Sequence, residues 1–124
     1  MTTTTPQAPI RDLDDLRARL RAFAQARDWD PFHSPKNLAM ALIVEAGELV
    51  EHFQWLTEAE SAVLPAEKRA AVGDELADVL VYVVRLADRL DIDLLGAVTA
   101  KMALNEAKYP ADRVKGSARK YTEY

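Results

Sequence analysis

No cysteine occurs among the 124 residues. That absence excludes disulfides, thiolate metal sites and cysteine nucleophiles, and it fits a reducing cytoplasm, the expected compartment. No apolar run reaches 18 uninterrupted residues, so no membrane span is expected. The opening "MTTTTPQAP" lacks a charged region followed by an apolar one. It does not read as a signal peptide, and residues 1–11 are expected to form a loose arm. No alternating apolar–polar pattern bounded by turn signals is present, and no internal repeat, so no strands are expected. Positive charge is scarce in the body: up to residue 100 there are 10 Lys/Arg against 17 Asp/Glu, and beyond it 6 against 3. An acidic body is a poor general binder of nucleic acid, and no nucleic-acid partner is expected. A basic tail suits a small anion held with its metal, although charge alone favours a solvated tail.

What is present is apolar and helical. Hydrophobic residues make up 49% of the chain, enough for the core of one domain. Asp12 can cap a helix reaching about Arg27, with Leu13, Leu16, Leu20, Phe23 and Ala24 at helical spacing. Asp28 to Ser34 reads as a loop broken by Pro31. Ser34 followed by Pro35 predicts a second helix to Trp55 or Leu56. Thr57 to Pro65 is a connector. A third helix is expected from Pro65 or Ala66 to Leu90, and a fourth from Asp91 or Asp93 to just before Pro110, leaving an irregular tail. The expected architecture is therefore all-α: a four-helix unit over 12–109 and a basic tail over 110–124. The second and third helices are apolar on too many sides for so small a monomer to cover, which predicts a homo-oligomer.

Set in those apolar helices are acids. The third helix places Asp74, Glu75 and Asp78 beside Leu76, Val79, Leu80, Val81, Val83 and Val84. An ionised carboxylate is costly to bury unless something positive pairs with it. Glu75 and Asp78 are three residues apart and share a helix face. Glu45 and Glu48 repeat that spacing on the second helix, where Glu45 falls on the stripe of Leu38, Leu42 and Leu49. Two helices, each offering a carboxylate pair, can surround a cation. No histidine follows a glutamate by three on these faces, as di-iron bundles require, and His52 follows Glu48 by four. An all-carboxylate set suits Mg²⁺, or Mn²⁺ in its place, and Mg²⁺ points to phosphate chemistry. Gly47, mid-helix between two candidate ligands, allows close approach there, and plain helix packing explains it almost as well.

The segments "EAGELVEHFQW", "GDELADVLVYVVRLA" and "KMALNEAKYP" resemble the MazG-type all-α nucleotide pyrophosphohydrolases. The likeness is strongest to their dCTP pyrophosphatase branch, through Arg27-Asp28-Trp29, Phe32-His33, Pro35, Asn37-Leu38 and the Arg119 to Glu123 ending. It covers roughly residues 12–124. It implies Mg²⁺-dependent cleavage of a nucleoside triphosphate, dCTP or a modified dCTP, between its α- and β-phosphates, giving a monophosphate and pyrophosphate and cleaning the nucleotide pool. By that likeness Glu45, Glu48, Glu75 and Asp78 are the metal-holding and catalytic set. Lys101 and Asn105 match the phosphate contacts, with Lys108 and Arg113 as further basic help. Trp29, Trp55 and Tyr82 match nucleoside contacts, and His33 stands beside them as a loop-anchoring or phosphate-near residue. The family also implies a homotetramer built as a dimer of dimers. The residues leave open which carboxylate serves as general base. They also leave two other readings: a non-catalytic helical interaction module, and a carboxylate di-metal oxidase, against which the missing Glu-x-x-His motifs weigh.

Overall fold

The computed structural model describes residues 7–123. The outer part of the N-terminal arm, residues 1–6, lies outside them. Its inner part carries no helix, and Arg19 donates to the carbonyls of Ala8 and Pro9. Every regular element among the described residues is helical: α1 Leu13–Ala26, α2 Pro35–Glu51, α3 Glu58–Ala62, α4 Ala66–Arg89, α5 Leu94–Lys108 and α6 Ala111–Val114, with short 3₁₀ turns at Asp30–Phe32 and Tyr121–Glu123. The chain divides into two compact units, up to Asp91 and from Ile92 on.

Local chemistry accounts for the boundaries in the first unit. Asp12 caps α1, its carboxylate accepting from the Asp15 amide at 2.8 Å. Ser34 caps α2 in the same way, with Pro35 at the first helical position. Helices α1 and α4 are each followed by an aspartate in the left-handed region, Asp28 at φ 54° and Asp91 at φ 55°. Aspartate tolerates that conformation better than most residues and here stands where glycine often does. The expected connector 57–65 holds α3, one turn stabilised by a capping box. Thr57 Oγ1 accepts from the Glu60 amide, and Glu60 accepts from the Thr57 amide at 2.9 Å. The second helix stops at Glu51, short of Trp55, and gives way to turns.

Helix α4 is the spine of this unit and packs against α2 and α1. The core consists of Leu16 and Ala24 from α1, Leu38 from α2, and Val72, Val84 and Ala87 from α4. Beyond it, α2 leaves Met40, Ile43, Val44 and Val50 exposed, Ile43 at 69%, and α4 leaves Leu76 and Leu80 exposed. In the second unit α5 is capped by Asp93, which accepts from the Gly96 amide at 3.1 Å. The tail, expected to be irregular, contains α6 and a 3₁₀ turn. There Tyr109 and Tyr121 meet edge to face at 6.1 Å and Lys108 lies over the Tyr121 ring.

Candidate active site

Leu38, Glu45 and His52 recur every seven residues, so the stripe that buries Leu38 carries Glu45 toward α4. On α4, Glu75 lies one turn beyond the buried Val72. The packing of these two helices brings one carboxylate oxygen each from Glu45, Glu48 and Glu75 within 4.8 Å of one another. Glu45 and Glu75 are partly buried, and the Oε2 atom of each is buried with no hydrogen-bond partner. Orphaned charged oxygens are expensive in a folded protein. The strain shows in Glu45, whose pKa is pushed from about 4.5 up to about 7, first by burial, then by the hydrogen bond and charge of Glu48 and the charge of Asp78. Three hard oxygens with unused lone pairs fit a divalent cation of the Mg²⁺ type, which accepts carboxylates and retains waters for the remaining positions.

Of the three acids that begin α4's apolar stretch, Asp74 is exposed, Glu75 enters this cluster, and Asp78 takes a different position. Asp78 lines a cavity of about 330 Å³ together with Leu20, Phe23, Trp29, His33, Val81, Tyr82 and Arg85. The spacing Asp78, Tyr82, Arg85 follows one face of α4, so the helix that supplies Glu75 to the acids also supplies one wall of the cavity. The rest of the lining comes from α1, through Leu20 and Phe23, and from the loop after it. The loop's placement follows from backbone bonds: the Trp29 amide reaches back to the Ala24 carbonyl at 2.9 Å, and the Asn37 side chain donates to the Phe32 carbonyl at 3.1 Å. Trp29 is then wedged edge-on between Phe23 at 5.7 Å and His33 at 6.1 Å, with the Arg27 guanidinium on Phe23. A largely apolar hollow of this size with a few polar groups is the usual form of a small-molecule site.

The remaining expected residues do not line this cavity. Trp55 is 86% exposed, in the turns after α2, and does not line the cavity. Lys101, Asn105, Lys108 and Arg113 are exposed members of the second unit, with Lys101 and Asn105 on one face of α5. A Cβ on Gly47 would meet nothing within 4 Å, so packing inside the chain does not require that glycine.

Two residues without an expected site role stand out. His52 places Nε2 3.8 Å from Glu75 Oε1 and Nδ1 3.5 Å from the Lys68 ammonium, at the edge of the acid cluster. Its position seven after Glu45 was the signal. Arg85 is 4% exposed, the one buried charged residue among those described. A basic residue on the buried face of an apolar helix, seven after Asp78, was the corresponding sign.

Comparison with known proteins shows the family. The model of the MazG-like family matches residues 40–124. The dCTP pyrophosphatase 1 of Homo sapiens is 47% identical over 118 residues, covering 94% of this chain and 69% of that protein. The rat protein of the same name is 48% identical over 119 residues, with the same coverage. A solved pyrophosphatase from Archaeoglobus fulgidus superposes with a TM-score of 0.76 at 36% identity, covering 86% of this chain and 99% of that one. The family match contains the three clustered glutamates, Asp78, Tyr82 and Arg85; Trp29 and His33 precede it.

Proposed function

This chain belongs to the MazG-like family, and from that premise we propose that it is an Mg²⁺-dependent pyrophosphohydrolase that cleaves dCTP or a modified dCTP between the α- and β-phosphates, giving the monophosphate and pyrophosphate. Its class is that of hydrolases acting on nucleotide phosphoanhydride bonds. The observation that carries the reading is the pair of buried, partnerless Oε2 atoms of Glu45 and Glu75 beside Glu48. A folded chain retains unsatisfied buried acids where a ligand will satisfy them.

In this reading Glu45, Glu48 and Glu75 would hold the cation, with Asp78, whose charge acts on Glu45, as the fourth acid. When bound, Mg²⁺ neutralises phosphate charge and makes water more acidic. The rest is the protein's work. The cavity bounded by Trp29, His33 and Tyr82 takes the base, with the indole supplying a flat face for stacking. Lys101 and Asn105 offer donors for phosphate oxygens, and Lys108 and Arg113 add positive charge in the same unit. Trp55 stacks from outside the cavity. The apolar residues left exposed on α2 and α4 are covered by further copies of the chain, in a tetramer built as a dimer of dimers.

The test is product analysis with dCTP, the other common dNTPs and modified cytosine nucleotides, with Mg²⁺, Mn²⁺ or EDTA. The expected result is dCMP and pyrophosphate, with EDTA abolishing turnover. Release of inorganic phosphate in place of pyrophosphate, or turnover indifferent to EDTA, overturns the reading. An interaction module without catalysis would give no turnover under any condition.

A further inference from the structure

Arg85 is buried in the first unit with all three of its nitrogens engaged. Nη2 donates to Asp30 Oδ1 at 2.6 Å, Nη1 to Asp88 Oδ2 at 3.5 Å, and Nε to His33 Nδ1 at 3.2 Å. Asp88 is in turn gripped by Arg21, at 2.7 and 2.5 Å. Two carboxylates are enough to balance the Arg85 charge. The third donor is spent on an imidazole, and that bond has a consequence. A guanidinium only donates, so His33 Nδ1 has to accept, and the ring proton of the neutral imidazole is confined to Nε2. An imidazolium would set an N–H on Nδ1 against the guanidinium N–H. The groups facing His33 are Arg85 on α4, Arg89, whose Nε donates to the His33 carbonyl at 3.1 Å, and Asp30 on its own loop. Burial and then Arg85 hold the His33 pKa below its ordinary value, Asp30 opposing them. His33 and Arg85 both line the cavity. No protein group among the described residues bonds His33 Nε2.

We propose that Arg85 is a positioning residue for the base pocket: it fixes His33 as a neutral imidazole protonated on Nε2, so that the pocket presents a heterocycle with a hydrogen-bond donor for an acceptor atom on its edge. This rests on the cavity being the base site. The donor is matched by a ring nitrogen or a carbonyl oxygen, and it selects against a base edge that offers an N–H at that point, since a buried polar mismatch discriminates strongly. Asp30, Asp88 and Arg21 serve the same end indirectly, by holding the guanidinium plane.

Long-range ¹H–¹⁵N spectra of the uniformly labelled, metal-free protein test it directly, because only two histidines are present and His33→Gln assigns them. The expected spectrum has His33 as the Nε2–H tautomer, still neutral below the pH at which a free imidazole charges. In Arg85→Met the two tautomers mix and the titration moves back toward the ordinary value. KM for dCTP rises on the order of tenfold, with kcat falling less, as for loss of one oriented hydrogen bond. In a His33→Gln background the same substitution changes KM by less than about twofold, because the effect is transmitted through the imidazole. A purely structural arginine would raise KM equally in both backgrounds. An Nδ1–H or cationic His33 at neutral pH in the wild type, or an undiminished Arg85→Met effect in the His33→Gln background, overturns the proposal. If Arg85→Met does not fold, the wild-type spectrum alone decides. Adding a non-hydrolysable dCTP analogue separates the premise: His33 tautomer as expected but no shift of the His33 and Trp29 signals keeps Arg85's hold on the ring and removes the base from this cavity, overturning the pocket role.

Discussion

Helix α4 carries two charged sites about 15 Å apart along its axis, and they are opposites. Around Glu75, three carboxylates converge, two of their oxygens have no partner, and Glu45 is driven toward neutrality. Around Arg85, two carboxylates and an imidazole accept from its three nitrogens, Arg21 donates to one of those carboxylates, and Asp88 is held below its ordinary pKa, chiefly by the Arg21 hydrogen bond. The chain has completed one network itself and left the other open. A buried charge is thus no sign of a site on its own; a buried charge without a partner is.

The largest separation should come from neutralising an acid in each region. On the proposed reading, Glu48→Gln removes a metal-holding group and relieves repulsion. Turnover should drop by on the order of a thousandfold or more while the metal-free Tm stays level or rises. Asp88→Ala should act chiefly on stability, costing about 3 kcal/mol, or roughly 10 °C in Tm, by leaving Arg85 and Arg21 short of a carboxylate, with kcat largely kept and KM changed only through the loosened Arg85. Thermal melts and steady-state rates on both variants check the pair. If Glu48→Gln unfolds the chain, the acid is structural; if it turns over normally, it is outside the site.

A second contrast lies in pH. The raised Glu45 pKa means the folded chain holds a proton that the unfolded chain loses near pH 4.5. Its contribution therefore stabilises the fold below pH 4.5 and is lost as pH rises through about 7. The depressed Asp88 pKa has the other sign, its contribution being present above the ordinary value of 3.8 and lost as pH falls through the lower folded value. His33 also loses its contribution as pH falls, below its ordinary value of 6.5. Taking the difference between wild type and Glu45→Gln cancels the last two. That difference in denaturant midpoint should shift against the wild type from pH 4.5 to 7, and a flat difference would mean that Glu45 carries no such strain.

The smallest expected effects concern the tryptophans. Trp29→Ala should raise KM for dCTP roughly 5- to 150-fold, the range for loss of one stacking plate, with a lesser change in kcat. Trp55 is exposed on the single chain, so the effect of Trp55→Ala on the isolated subunit's stability should be within about 0.5 kcal/mol. An effect of Trp55→Ala on KM would place that ring against the nucleotide in the assembled protein. Quenching of tryptophan fluorescence by a non-hydrolysable analogue, lost in one variant and kept in the other, distinguishes the two plates.

The all-α architecture and the helix starts at Asp12 and Ser34 were legible in the sequence because capping is local chemistry, written in consecutive residues. So were the two carboxylate pairs, from their three-residue spacing in apolar helices and, for Glu45, from the stripe of Leu38, Leu42 and Leu49. The capping box at Thr57 lies inside the expected connector, marked only by its Thr-x-x-Glu spacing. What the sequence could not show was which of several acids end up partnerless. Asp74, Glu75 and Asp78 look alike along the chain, and helix rotation alone sends the first to solvent, the second to the cluster and the third to the cavity. The tie between Arg85, Asp30 and His33 spans more than 50 residues and depends on the exact turn after α1, which no periodicity encodes.

We read the partnerless acids as a cation site. The most direct test of that reading is the melting temperature of the protein with and without millimolar Mg²⁺, for the wild type, Glu75→Gln and Asp88→Ala, each with and without a non-hydrolysable dCTP analogue. A cation that binds only the folded chain stabilises it by mass action, by about 2.7 kcal/mol at a hundred times its Kd. The wild type and Asp88→Ala should therefore rise on adding Mg²⁺, and rise further with the analogue, while Glu75→Gln should not respond to Mg²⁺. Equal shifts in wild type and Glu75→Gln, or no shift in the wild type at either stage, would contradict it.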